Sequence, residues 1–167
     1  MTGLSRAFVG LCLFLLLNFA GTVSAKQPYH WSNTDPSISI THIFQGQINK
    51  KGKATGFHYA GIEKPTYENS PRLKQILSKP NKVGVYTAII EVWDAKGALW
   101  KSKFSSLFPD HFTRTKIMAA ILAAFKGNTL KAERKWRGKS GQGFDIEGYM
   151  LKDGRIITAY PIYKINE

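Results

Sequence analysis

Two histidines stand in surroundings that could place both imidazoles at one site. His42 lies in the segment Thr-His-Ile-Phe-Gln-Gly, and His58 follows sixteen residues later in Thr-Gly-Phe-His-Tyr. A hairpin or short loop across the basic turn 49–53 would bring the two segments together. Imidazoles titrate near neutral pH, so such a pair could exchange protons with a substrate. A single histidine is more often structural than catalytic, and the other two, His30 and His111, lack comparable surroundings.

Lysine, hydroxyl and phenol side chains occur later in the chain at strand spacing. Lys101, Lys103 and Ser105 share one face of a predicted strand, because side chains alternate along a strand with a period of two. Thr158 and Tyr160 share a face of the last strand for the same reason. Lysines on an exposed strand are usually solvated, and Thr and Tyr are common in strands. Neither group therefore establishes a site by itself.

The composition indicates one ordinary domain with a polyanion as its partner. The 167 residues are 43% hydrophobic and carry 24 Lys+Arg against 11 Asp+Glu, which gives a formal charge of +13. An aromatic content of 13% excludes a disordered basic tail. The one cysteine, Cys12, excludes disulfide frameworks, cysteine zinc sites and, in the body of the protein, a thiol nucleophile.

Residues 1–25 have the pattern of an export signal. Arg6 supplies the positive start, residues 8–19 are almost continuously apolar, and Val23-Ser24-Ala25 fits a signal peptidase site. The apolar stretch of about twelve residues is shorter than the roughly twenty that a membrane-spanning helix needs. The mature chain is thus predicted to begin at Lys26 with a charge of +12 and to be secreted or periplasmic. We expect it to be a monomer with no stable membrane span.

The hydrophobic patterns predict an α+β domain over residues 41–167, preceded by an N-terminal arm at 26–40, with helices packed on antiparallel sheets. Leu73, Ile76 and Leu77 fall at helical spacing after Ser70-Pro71. Nine successive apolar residues from Ile117 require a buried helix. The predicted elements are a short surface helix after Pro71, strands at 83–93 and 98–104, a buried helix from Pro109 to Phe125, and a terminal hairpin of 144–151 and 155–163 turned by Lys152-Asp153-Gly154.

The segment 128–143 is predicted to be a loop rich in basic residues and glycine. It could follow a phosphate backbone, with Trp136 as an aromatic platform, or it could be simply a solvated loop. The basic residues that would contact phosphates are Lys131, Arg134, Lys135, Arg137 and Lys139.

These motifs, in their order and spacing, resemble those of the EndoU-like endoribonucleases. The likeness is to the bacterial EndoU domain, found in secreted nucleases and at the toxin tips of contact-dependent inhibition systems, and it runs from about Thr41 to Ile162. The matching segments are His42 to Gly46, Gly56 to His58, Trp100 to Asp110, Gly148-Tyr149 and Ile157 to Ile162.

The resemblance implies a two-histidine mechanism that needs no metal or other cofactor. His42 and His58 would be the acid–base pair. Lys101 would be the catalytic lysine, and Lys103 is the alternative for that role. Lys103, Ser105, Thr158 and Tyr160 would contact the substrate. The expected reaction cuts single-stranded RNA at uridines by transesterification, leaving 2′,3′-cyclic phosphate and 5′-hydroxyl ends. An acidic immunity protein is an expected partner, since it would cover a cationic cleft.

Two other functions fit parts of the sequence. A non-enzymatic cationic protein that coats nucleic acid or an anionic envelope would explain the charge and the export signal without any particular histidine. A metal-dependent nuclease is disfavoured, because few carboxylates lie near His42 or His58 and no ligand spacing typical of zinc is present.

Overall fold

The computed structural model describes residues 30–130 and 132–165. The predicted export signal, the start of the predicted arm and Lys131 lie outside the described residues. A single turn of π-helix at Thr41–Gln45 is followed by eight strands and one α-helix. In chain order these are β1 Gln47–Ile48, β2 Ala54–Thr55, β3 Arg72–Ser78, β4 Tyr86–Asp94, β5 Leu99–Leu107, α1 Arg114–Lys126, β6 Lys135–Lys139, β7 Asp145–Met150 and β8 Ile156–Pro161.

The strands form three antiparallel sheets, which confirms the α+β class. β1 and β2 make a small hairpin, and the two larger sheets have the strand orders β3-β4-β5 and β6-β7-β8. β4 is the central strand that the apolar run predicted, and β5 follows it across a turn at 95–98. The terminal hairpin of β7 and β8 is also confirmed.

The prediction of a short surface helix after Pro71 is wrong. Residues 72–78 form the edge strand β3. Register shifts next to Leu73 and Ile76 insert extra residues into this strand. Leu73 and Ile76 consequently pair with Ile90 and Ala88 and share one face of the sheet, although they are three residues apart. The helix-like spacing of Leu73 and Ile76 is therefore explained by bulges in an edge strand.

The predicted loop at 128–143 is also partly wrong, because its centre is strand β6. Side chains alternate along β6, so Trp136 and Gly138 face inward while Arg137 and Lys139 are exposed. Trp136 is only 1% exposed and packs edge-on against Phe125, with ring centroids 5.4 Å apart. It cannot serve as the aromatic platform that the sequence predicted.

Helix α1 packs against the β6–β8 sheet and closes the larger core. It begins at Arg114, later than predicted, because the Thr113 side chain caps it by accepting a hydrogen bond from the Lys116 N–H. Its close approach depends on Gly138, where an added Cβ would lie 1.9 Å from the Ala124 carbonyl oxygen. The buried face consists of Ile117, Ala120, Ile121 and Ala124.

The described part of the predicted arm packs onto this core. Ile38 is fully buried and forms a bridge with Ile156 of β8, and Trp31 forms another with Ser39. The π-helical turn that carries His42 therefore begins from an anchored segment. Within the described residues, no helix has the length and apolar character needed to cross a membrane.

The two larger sheets meet along β5 and β8. The Ser106 hydroxyl on β5 donates a hydrogen bond to the Pro161 carbonyl on β8, at 2.5 Å. One apolar cluster lies beneath β4 and β5, and a second lies between α1 and the β6–β8 sheet. The line where the sheets meet is where the predicted site residues come together.

Candidate active site

The backbone holds the His42 and His58 segments side by side. The N–H of Phe57 donates to the His42 carbonyl at 2.8 Å, and the N–H of His58 donates to the Ile43 carbonyl at 2.7 Å. Gly56 has a φ of +73°, and a Cβ there would lie 2.0 Å from the His42 carbonyl oxygen. Only glycine allows this close approach without strain. The two imidazole centroids lie 6.2 Å apart.

His58 is buried and oriented by strand β5. Its Nδ1 lies 3.1 Å from the Ser106 carbonyl oxygen and 3.0 Å from the Ser105 Oγ. A carbonyl can only accept, so these partners assign the proton to Nδ1. Ser105, itself only 1% exposed, donates its own proton to the Phe57 carbonyl at 2.8 Å. The neutral ring therefore carries its free lone pair on Nε2.

Lys103 brings a positive charge to both imidazoles. Its ammonium donates to the Gly56 carbonyl at 3.0 Å, at the contact that joins the two histidine segments. Burial lowers the pKa of Lys103 to about 8. Burial first, and then the Lys103 charge, lower the pKa of His42 to about 4 and that of His58 well below 6.5. Both rings are thus neutral at neutral pH.

Tyr160 completes the cluster from the other sheet. Its ring centroid lies 5.4 Å from that of His58, and its hydroxyl donates to Glu147 at 2.5 Å. Lys135 and Arg137 also pair with Glu147 from the exposed side. Burial alone would raise the pKa of Glu147, but these three hydrogen-bond donors outweigh it and lower the pKa to about 2. The phenol is therefore held by a carboxylate that stays ionised.

A cleft of about 580 Å³ opens where β5 faces β8. One wall carries His58, Lys103 and Ser105, and the other carries Glu147 and Tyr160. The remaining lining residues are Thr87, Phe104, Ser106, Arg137, Pro161, Ile162 and Tyr163. His42 is half-buried next to His58 and does not line the cleft, and its Nδ1 is buried and unpaired among the described residues.

Five of the seven predicted site residues come together: His58, Lys103, Ser105 and Tyr160 line the cleft, and His42 lies beside His58 outside the lining. Lys101 is on the same face of β5 as Lys103 but does not line the cleft. Thr158 shares its strand face with Tyr160 and likewise lies outside the lining. Ser105 is only 1% exposed at the cleft wall and contacts His58, so its position suits orientation of the ring.

Sequence reasoning missed Glu147, and it assigned Arg137 to a basic loop without placing it beside the cleft. The strand pairing places Glu147 directly opposite Tyr160, and Arg137 directly opposite Glu147. Neither residue belongs to a local sequence motif, because the contact depends on how three strands pair. Among the described residues, no group of three or more His, Cys, Asp or Glu side chains is placed to hold a metal ion.

The cluster is suited to proton transfer on an anionic substrate. The charge of the half-buried Lys103 ammonium acts on two neutral imidazoles, and it would attract a phosphate to their side of the cleft. A model of the family described as "Bacterial EndoU nuclease" matches residues 37–163. The chain belongs to this family. Its membership confirms the resemblance and makes the cleft the candidate site of a nuclease.

The chain is also similar to part of a longer protein. A Bacillus cereus protein named "Toxin" is 29% identical over 123 residues, which cover 74% of this chain. The match spans only 22% of the relative. No solved structure matches the chain significantly.

Proposed function

We propose that this EndoU nuclease cleaves single-stranded RNA at uridines without a metal ion, leaving 2′,3′-cyclic phosphate and 5′-hydroxyl ends. The observation that carries the proposal is a single cluster of side chains: His58, Lys103 and Tyr160 line one cleft, and the His42 ring lies 6.2 Å from that of His58. RNA supplies its own nucleophile, the 2′-hydroxyl, so proton transfer and charge stabilisation are all that the protein must add.

The geometry favours His58 as the general base. Its Nδ1–H is engaged by the Ser106 carbonyl, so its Nε2 lone pair can take the proton of the 2′-hydroxyl. The 2′-oxygen then bonds to phosphorus, and the bond from phosphorus to the 5′-oxygen breaks. His42 gives the departing 5′-oxygen a proton. Proton exchange with water returns both rings to their starting forms.

Lys103 has two tasks in this reaction. Its ammonium offsets the charge that develops on the phosphorane oxygens. After burial, it is the second cause that lowers the pKa of His42 in the free protein, and a bound phosphate anion would oppose the Lys103 contribution and favour the protonated ring. The mechanism requires that His42 take up its proton in the presence of the substrate.

Recognition of the base falls to the wall formed by β8. Tyr160 presents its ring beside His58, where it can stack on or orient the nucleotide, while Glu147 fixes its hydroxyl. Thr158 lies on the same face and would hydrogen-bond a base edge if the nucleotide reaches along the strand. Ser105 acts through His58 as a positioning residue.

A role as an exported toxin is consistent with this chemistry. The relative named "Toxin" supports it, as do the predicted export signal and the basic charge. A toxin of this kind requires protection of the cell that makes it, and an acidic immunity protein would match the cationic cleft.

Incubation of the purified protein with a uridine-containing RNA in EDTA tests the proposal. Cleavage should survive chelation, spare a substrate with 2′-deoxyuridine at the cut position, and yield cyclic phosphate ends. Binding without cleavage would instead favour a cationic coat protein, and cleavage that EDTA abolishes would favour a metal-dependent nuclease. Cutting of the 2′-deoxy substrate would exclude the 2′-hydroxyl as nucleophile.

A further inference from the structure

An exposed aromatic ring stands at the mouth of the cleft. Phe104 is 57% exposed and lines the cleft next to Lys103 and Ser105. It lies on the outer face of β5, while its two neighbours point inward. Flat exposed rings are surfaces on which unpaired bases stack, and this ring lies beside the cationic cleft.

The same sheet face carries a second flat group further from the cleft. Trp100 lies four residues before Phe104 on β5, so the two side chains share the outer face about 13 Å apart. The Arg72 guanidinium lies over the Trp100 ring, 4.0 Å from its centroid, and Trp93 packs against the edge of that ring. The Arg72 side chain remains 54% exposed, and bases stack on guanidinium planes as well as on rings.

The charge between these two positions suits a polyanion. Arg72 and Lys74 both form ion pairs with Glu91, and both cationic side chains are 54% exposed. Two cations against one carboxylate leave this stretch positive. Because Glu91 is almost fully buried beneath them, the cations are what a ligand on this face would meet.

We propose that the outer face of the β3–β5 sheet binds single-stranded RNA that continues out of the cleft. Phe104 stacks on a base next to the scissile linkage, and the Arg72–Trp100 pair stacks on a base further along the same strand. The separation exceeds the width of one base, so the two positions hold different nucleotides. That the bound RNA continues into the cleft rests on the proposed ribonuclease function. This surface, and not the buried Trp136, would be the aromatic platform for RNA.

Equilibrium binding of 2′-O-methyl oligouridylates tests this surface without requiring cleavage. The intact protein should bind an octanucleotide more tightly than a dinucleotide. Phe104→Ala and Trp100→Ala should each weaken octanucleotide binding by about fivefold or more. Trp100→Ala should leave dinucleotide binding unchanged, and Trp100→Phe should retain most of the affinity. Tyr67→Ala, which removes an exposed aromatic ring outside this face, is the matched control.

The outcomes separate the two proposals. If Phe104→Ala and Trp100→Ala both bind the octanucleotide as Tyr67→Ala does, the stacking surface is refuted whatever the enzyme cleaves. If the variants lose octanucleotide affinity but the wild type cuts no RNA, the surface stands and the ribonuclease function fails. Melting temperatures close to that of the wild type establish that the variants are folded.

Discussion

The hydroxyl oxygen of Ser105 lies 3.0 Å from Nδ1 of His58, on the side of the ring that faces away from the proposed reacting nitrogen. Together with the Ser106 carbonyl it fixes the ring and its tautomer. The serine that the family resemblance implied as a substrate contact is thus better placed to orient His58, the proposed base. The distinction can be measured.

Ser105→Ala should reduce kcat about tenfold or more and change KM little, because a misplaced base slows the chemical step. A substrate-binding role would instead raise KM. Ser102→Ala, on the opposite face of the same strand, is the control and should leave cleavage of a uridine dinucleotide unchanged. Steady-state rates on that dinucleotide make the comparison, and an unchanged kcat in Ser105→Ala would remove the positioning role.

The two lysines of β5 can be told apart by paired substitutions. Lys103→Met should lower kcat/KM by on the order of 10²-fold, since it removes the cation beside both imidazoles. Lys101→Met removes an equal charge from the same strand face outside the cleft and should cost little. Equal losses in both variants would mean that only the general positive charge matters. A large loss in Lys101→Met alone would restore it as the catalytic lysine.

The lowered pKa of Lys103 predicts an alkaline limit to activity. Loss of the His42 proton already lowers kcat/KM as the pH rises above a pKa of about 4. The Lys103 ammonium is present below a pKa of about 8 and disappears above it, so the decline should become steeper through that value. Arginine stays charged throughout this range, so Lys103→Arg should lose the added steepness while retaining part of the activity. The same steepening near the Lys103 pKa of about 8 in Lys103→Arg would show that another group titrates there.

Much of the fold could be predicted from sequence patterns, and the predictions that were wrong failed for physical reasons. The all-apolar run of β4 and the turn of the terminal hairpin were sufficient to predict those strands. The edge strand β3 was mistaken for a helix because its bulges place Leu73 and Ile76 on one face at helical spacing. Strand β6 was not predicted because its exposed residues are basic and its inward face consists only of Trp136 and Gly138, which gives no alternating apolar pattern.

The candidate site was predictable in its residue types more than in its geometry. The proximity of His42 and His58 was inferred from the turn between them, and their backbone contact confirms it. Glu147 could not be inferred from a regular hairpin. Continuing the Met150–Ile156 pairing without a shift would place Ile146 opposite Tyr160, whereas the observed irregularity places Glu147 there. A one-residue shift of register decides which side chain meets the phenol.

The burial of Trp136 predicts a loss of stability rather than a loss of RNA binding. Trp136→Ala should lower the free energy of unfolding by about 3–5 kcal/mol, because it leaves a cavity beneath α1. Urea denaturation followed by circular dichroism measures this change. A variant with wild-type stability and weakened RNA binding would instead support an exposed platform at this position.

The central claim is that His42 and His58 divide the proton transfers at one scissile linkage, with their rings 6.2 Å apart. The most direct test compares cleavage of a uridine dinucleotide with that of uridine 3′-(4-nitrophenyl phosphate), whose leaving group needs no proton. On the dinucleotide, His42→Ala and His58→Ala should each lose on the order of 10²-fold or more in rate. On the activated ester, His42→Ala should recover most of its rate and His58→Ala should not. Wild-type cleavage of the dinucleotide by either folded variant, or no difference between the two substrates in both, would contradict the account.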